Sequence, residues 1–240
     1  MRVSDSEILE VNMARPMKRS QINSIIQKAE VFFSEQKFKL PPWAYWEPTE
    51  WKGRYDTVAE IVESMLGWDV TPFSSDDFYK RGLLAFTLRN GLLGKNDKTY
   101  GEKILIVEEN QETPFHFHFS KMEDIINRGG GNLVIELYSS TEDGGFGIGP
   151  ITISLDGVKK QIEAGGTVIL TPGESICLYQ RLYHRFYGEQ GKGKVLVGEV
   201  SSVNDDTADN RWHEELGRFP GIDEDSEPVH LLAIDYKNYL

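Results

Sequence analysis

Apolar positions in the first third of the chain recur at helical spacing. Ile22, Ile25, Ile26, Ala29, Phe32 and Phe33 make one stripe, which predicts a helix capped by Ser20 and ending near Lys37. Val58, Ile61, Val62 and Leu66 make a second stripe, opening behind Asp56, with residues 68–72 closing it. Between the two, Pro41, Pro42 and Pro48 break any continuous helix and leave Trp43, Tyr45 and Trp46 to pack as an aromatic collar. Residues 1–15 carry no periodicity and read as an arm or a loose segment. From residue 79 the period drops to two. Strands are expected over 83–89, 103–108, 115–119, 133–138, 151–155, 158–163, 167–170 and 195–200, with one long strand over 175–187. Asp156-Gly157 is a hairpin signal, and Gly165-Gly166 and Pro172-Gly173 mark further turns. Many short strands cut by Gly-rich turns predict a mainly β fold, a closed or sandwiched barrel over 79–240 that carries a helical and aromatic extension over 1–78.

The alternation also sorts candidate chemistry. In Phe115-His-Phe-His-Phe119, period two sends His116 and His118 to one face and the three phenylalanines to the other. Glu123 follows five residues after His118, close enough to turn its carboxylate toward the same face. Two imidazoles and a carboxylate from one short segment suit a divalent metal. In the run 175–187, Ile176, Leu178, Gln180, Leu182, His184 and Phe186 share a face, opposite Cys177, Tyr179, Arg181, Tyr183, Arg185 and Tyr187. A histidine on an apolar inward face is ordinarily a satisfied core residue. Inside a barrel that already holds His116 and His118, it gains a different role.

Composition narrows the partners. A net charge of −12 over 240 residues argues against nucleic acid or an anionic membrane surface, because phosphate would be repelled. No apolar run reaches the roughly 18–20 residues that span a bilayer. The first residues lack the apolar stretch of a secretory signal, and a single cysteine, Cys177, allows no internal disulfide, so a cytoplasmic location is expected. Cys177 itself reads as a small packing residue. The tail beyond Val203 is acidic, with Asp205, Asp206, Glu214, Glu215, Asp223 and Asp225, and is expected to fold over the barrel mouth. Its His213 and His230 have no partner at ligand spacing.

At the level of motifs, His116-x-His118-x4-Glu123-x6-Gly130 has the form of the first cupin motif, and Gly166-x5-Pro172 followed by His184 that of the second. Asn110 stands where the first motif usually opens with Gly, and His184 lies further beyond Pro172 than the short cupin spacing. The runs 116–131 and 198–206, together with Arg218-Phe-Pro220, resemble the D-lyxose isomerase family of the cupin superfamily. The resemblance implies a jelly-roll barrel with His116, His118, Glu123 and His184 as metal ligands and Mn²⁺ as the usual ion. From the donor set alone Zn²⁺, Co²⁺ or Fe²⁺ would also serve. It also implies a free pentose or hexose as substrate. D-lyxose and D-xylulose, or D-mannose and D-fructose, would be interconverted through an enediol.

Such chemistry needs a fixed cation and a proton carrier beside the ion. Lys121, between two ligands in sequence, is the first candidate cation, and Lys103 the second. Glu215 is the expected proton carrier, with Glu214 its neighbouring rival. Asp225 is expected to position a hydroxyl or the lysine, and Glu199 and Glu136 to orient ligand imidazoles. Rival readings are a dioxygenase, a non-catalytic sugar-binding barrel, and a phosphosugar isomerase. The last would need a phosphate clamp from Arg89, Arg128, Arg181 or Arg185. A homodimer is expected from the aromatic extension and sheet edges.

Overall fold

A computed structural model describes residues 16–95, 97–205 and 208–240, so the arm expected over 1–15 lies outside the described residues. The chain opens with β1 (Met17–Lys18), α1 (Arg19–Glu35), a 3-10 turn (Pro42–Tyr45), α2 (Pro48–Trp51) and α3 (Tyr55–Glu63). Strands follow: β2 (Gly67–Thr71), β3 (Leu83–Arg89), β4 (Tyr100–Val107), β5 (Thr113–His118), β6 (Glu123–Gly130) and β7 (Leu133–Ser139). Then come β8 (Ile151–Leu155), β9 (Val158–Ile162), β10 (Thr167–Leu170), β11 (Ser175–Leu178), β12 (Leu182–Gly188), β13 (Val195–Ser202), β14 (Asn210–Trp212), β15 (Ile222–Asp223) and α4 (Tyr236–Tyr239).

Two antiparallel sheets make the body, one ordered β2-β3-β4-β13-β6-β11-β8-β9 and the other β10-β7-β12-β5-β14. The fold is mainly β, the cupin fold that the sequence implied. Leu105, Val107, Ile125, Leu137, Ile176, Leu182, Phe186 and Val197 from both sheets form the central core. The β2–β3–β4–β13 part of the larger sheet is buried on the other face too. There Ile104, Ile106, Leu196 and Phe86 pack against Ile22, Ile26, Phe33 and Trp68. Burial on both faces is why β4 and β13 read as continuous apolar runs. Within them one parity still faces the central core, and Lys103 and Glu199 belong to it with Leu105 and Val197.

Four expectations change. Residues 68–72 do not close a helix: Gly67–Thr71 is an edge strand paired to β3, with Trp68 bridged to Leu232. Ser20 lies inside α1 and does not cap it; the carboxylate of Asp225 instead accepts Ser20 N at 2.8 Å and Ser20 Oγ at 2.7 Å. The prolines at 42 and 48 each start a short helical turn, because proline is tolerated in the first turn, where its missing N–H is not needed. The run 175–187 is two strands in two different sheets. Arg181, with φ of 61°, turns the chain between β11 and β12 without shifting the parity of inward residues. The Asp156-Gly157 hairpin forms as expected, both residues at positive φ, 48° and 83°.

Candidate metal centre

β5 lies in the smaller sheet and β6 in the larger, so the turn between them carries the chain across the core. Asp209 clamps that turn by accepting Ser120 N at 2.8 Å and Lys121 N at 2.9 Å. Glu123, the first residue of β6, thereby faces the histidines of β5 from the opposite sheet. β12 pairs with β5 in the register His184↔His116, which sets the third imidazole beside the first. The ligand nitrogens of His116, His118 and His184 lie within 4.8 Å of one another, all buried. Glu123 Oε1 stands 3.4 Å from His118 Nε2 and 3.2 Å from His184 Nε2.

The donor set fits a divalent cation. His116 Nδ1 donates to Pro114 O at 2.8 Å and His184 Nδ1 to Leu182 O at 3.0 Å, so each ring turns the lone pair of Nε2 inward. Burial, then the neighbouring His184 and His118 rings, holds the pKa of His116 well below its ordinary value. Burial and the Lys121 ammonium lower that of His118. Neutral imidazoles are the form that binds metal. Burial opposes ionisation of Glu123, but Lys121 and His118 outweigh it and keep the carboxyl well below the usual range. Nε2 of both His118 and His184 faces Glu123 Oε1, and neither is satisfied by a hydrogen bond of good geometry. A cation resolves this, since ligands bound at about 2.1 Å stand about 3 Å from their neighbours.

Around the cluster, Lys121 Nζ meets three acceptors: Glu123 Oε2 at 2.7 Å, Glu199 Oε1 at 2.9 Å and Asn204 Oδ1 at 3.1 Å. An ammonium has three N–H groups, so this set holds it in one orientation. Lys103, opposite Glu199 in the β4–β13 register, stands 3.7 Å from Glu199 Oε1. Both lysines and both carboxylates are buried. Trp212 pairs with His116 in the β14–β5 register and stacks on its ring, centroids 4.6 Å apart. Arg218 also lines the cavity, with its guanidinium on Asp69.

Of the residues singled out from sequence, His116, His118, Glu123, His184, Lys121 and Lys103 are thus brought together. Glu215 is exposed and absent from the cavity lining. Glu214 pairs with Arg81 at 2.9 Å, and Asp225 sits at the start of α1, on the outer side of the larger sheet. Glu136 pairs with Arg185 at 2.6 Å and orients no imidazole. Glu199 faces the cavity but engages lysines, not a ligand ring. The four arginines considered for a phosphate clamp are also elsewhere: Arg89 pairs with Glu102, Arg185 with Glu136, Arg181 donates to Thr141 O, and Arg128 packs on Gly198. Cys177 is half-buried, its thiol pushed up to about 11 by burial and by Asp124. His213 stacks on Phe146, and His230 bonds Trp46 O and Glu30. Asn204, Trp212 and Arg218 were not foreseen. Asn204 and Arg218 lie in runs that carried the family resemblance, and Trp212 stands among tail acids, but none of the three had been assigned to the site.

Known proteins resemble this chain over most of its length. A family profile described as D-lyxose isomerase matches residues 17–236. A D-lyxose/D-mannose isomerase of Serratia proteamaculans is 47% identical over 228 residues, covering 93% of this chain and 100% of the relative. One from Escherichia coli O157:H7 is 46% identical over 227 residues, with the same coverage of 93% and 100%. Among solved structures, the L-ribose isomerase of Acinetobacter sp. DL28 in complex with L-ribose superposes with a TM-score of 0.59 at 14% identity, covering 88% of this chain and 100% of that one. The Cellulomonas parahominis L-ribose isomerase with L-ribose gives 0.55 at 12%, with coverage of 88% and 100%. These two likenesses bear on the fold.

Proposed function

The chain belongs to the D-lyxose isomerase family, and on that premise we propose that it interconverts D-lyxose and D-xylulose, and D-mannose and D-fructose, through an enediol. The observation that carries the reading is a buried carboxylate, Glu199, held by Lys121 beside three inward-facing imidazoles and Glu123. His116, His118, Glu123 and His184 would hold the ion, for which Mn²⁺ is our choice. A divalent ion there supplies Lewis acidity that draws electron density from the sugar carbonyl.

The protein's own groups do the rest. Isomerisation removes a proton from the carbon beside the carbonyl and returns one to the neighbouring carbon. Glu199 is the group we assign to this transfer, in place of Glu215, because it is buried and faces the cavity. Lys121 and Lys103 fix its position and set two ammonium charges against the carboxylates of Glu199 and Glu123. With those charges balanced, a divalent ion leaves the buried cavity positive, which favours the negative charge of the enediolate. Arg218 is the only cavity-lining arginine among the described residues and is already paired with Asp69. A free sugar is therefore the better substrate than a phosphosugar. A homodimer in a reducing cytoplasm completes the proposal, as does the division into residues 1–78 and 79–240, with β2 lent to the larger sheet.

Incubation with each sugar in D₂O, followed by product identification, tests it. D-lyxose should give D-xylulose carrying solvent deuterium at the transferred position, and phosphorylated sugars should not react. Absence of ketose from any free sugar would sink the reading. Ketose without solvent label would indicate direct internal hydrogen transfer and sink the enediol route together with its proton carrier, leaving the isomerase reading standing.

A further inference from the structure

The metal cavity measures about 40 Å³, room for about one water molecule, and a pentose is many times larger. A sugar at the cluster therefore needs part of the lining to move outward, toward the loops that border it. A second cavity of about 390 Å³ lies there, lined among others by Glu63, Thr87, Asn90, Leu93, Asp205 and Phe219. Small-molecule sites run to about 300–1,000 Å³.

Two connections join the cavities. Arg218 lines the inner one and the next residue, Phe219, the outer one, so a single segment is the partition. It is anchored by Arg218 on Asp69, by Thr71 Oγ1 donating to Arg218 O at 2.5 Å, and by Gly217 N donating to Ser74 Oγ at 2.7 Å. Asn204 is the second connection. It lines the outer cavity while its Oδ1 accepts from Lys121 Nζ at 3.1 Å. The Asn90 carboxamide fixes its backbone, donating to Asn204 O and accepting from Asn204 N, both at 2.9 Å.

The lining also indicates an occupant. Glu63, Asp205 and Thr87 offer acceptors and a donor suited to hydroxyl groups, and the Phe219 ring, with the Arg218 guanidinium over one face, leaves its other face to C–H bonds. Two carboxylates against Lys95, on a chain of net charge −12, disfavour an anion. We propose that the outer cavity is a second binding site for a free, uncharged sugar, from which substrate passes the Arg218–Phe219 partition to the metal cluster. The passage rests on the isomerase reading; the binding does not.

A thiol placed in the outer cavity tests both parts. Leu93 is 69% exposed, so Leu93→Cys should fold, and Cys177, the only native cysteine, reacts slowly with its raised pKa. In the first arm, D-lyxose should slow modification of the Leu93→Cys protein by a bulky maleimide severalfold, and a sugar phosphate at equal concentration should not. No protection, or equal protection by the phosphate, overturns the site. In the second arm, modification should raise KM for D-lyxose at least about tenfold and leave kcat within about twofold. The same label on Val158→Cys, on β9, should change neither. An unchanged KM overturns the passage. Were no free sugar isomerised, the catalytic reading would fail while the protection arm still decided the binding site.

Discussion

The three N–H groups of Lys121 are matched by Glu123, Glu199 and Asn204, so this one ammonium ties a metal ligand to the proposed proton carrier. Glu199→Gln should cut turnover by about 10²–10⁴-fold with metal content unchanged, and Glu215→Gln should leave turnover near that of the parent. Equal losses in the two would return the role to the tail. His118→Ala removes a ring whose Nε2 has no other hydrogen-bond partner. It should release metal, read by elemental analysis, without unfolding the sandwich. The ligand histidines were legible because period two needs no partner strand to assign a face. The role of Glu199 was not, because it depends on a register, Glu199↔Lys103, that joins residues far apart in sequence. Glu215 and Asp225 were chosen because the acidic tail was expected to fold over the barrel mouth, but solvent and the start of α1 claim them instead.

Among the elements, β14 is only three residues long, yet it sets Trp212 on His116 and is followed by Glu214 pairing with Arg81. Trp212→Ala should weaken metal affinity by about tenfold or more, as loss of a supporting group does. Unchanged affinity would show that the ring is held without it. The C-terminal segment reaches α1 through His230, whose Nε2 lies 2.9 Å from Glu30 and whose Nδ1 lies 3.0 Å from Trp46 O. Burial works against charging this ring, but Glu30 and Trp46 outweigh it, so its pKa rises above the ordinary 6.5. A raised folded-state value gives stability that is fully present below the ordinary pKa and lost as pH rises through the folded one. Glu30→Gln should therefore cost about 1 kcal/mol in denaturant unfolding below pH 6.5, a figure already discounted for the solvent-facing carboxylate. The cost should shrink in alkali. Strand positions were largely readable, but the division of residues 175–187 was not. The turn at Arg181 keeps the inward parity, so the pattern runs through it in phase.

For the whole molecule, a larger sheet buried on both faces over β2, β3, β4 and β13 holds one wall of the cavity while the smaller sheet supplies the three histidines. A bound ion would join the two sheets and should raise Tm with ion concentration by mass action; an unchanged Tm would place the ion elsewhere. The cavity lies between sheets, so its histidines could be foreseen from alternation, while its outer pocket and partition arise from loops without a period. The most direct test of the central claim is a titration of stripped protein with Mn²⁺, following conversion of D-lyxose. The account predicts no conversion without metal and a linear rise that breaks at one ion per chain, abolished in His184→Ala. Full conversion by stripped protein, or a rise that His184→Ala leaves intact, would contradict it.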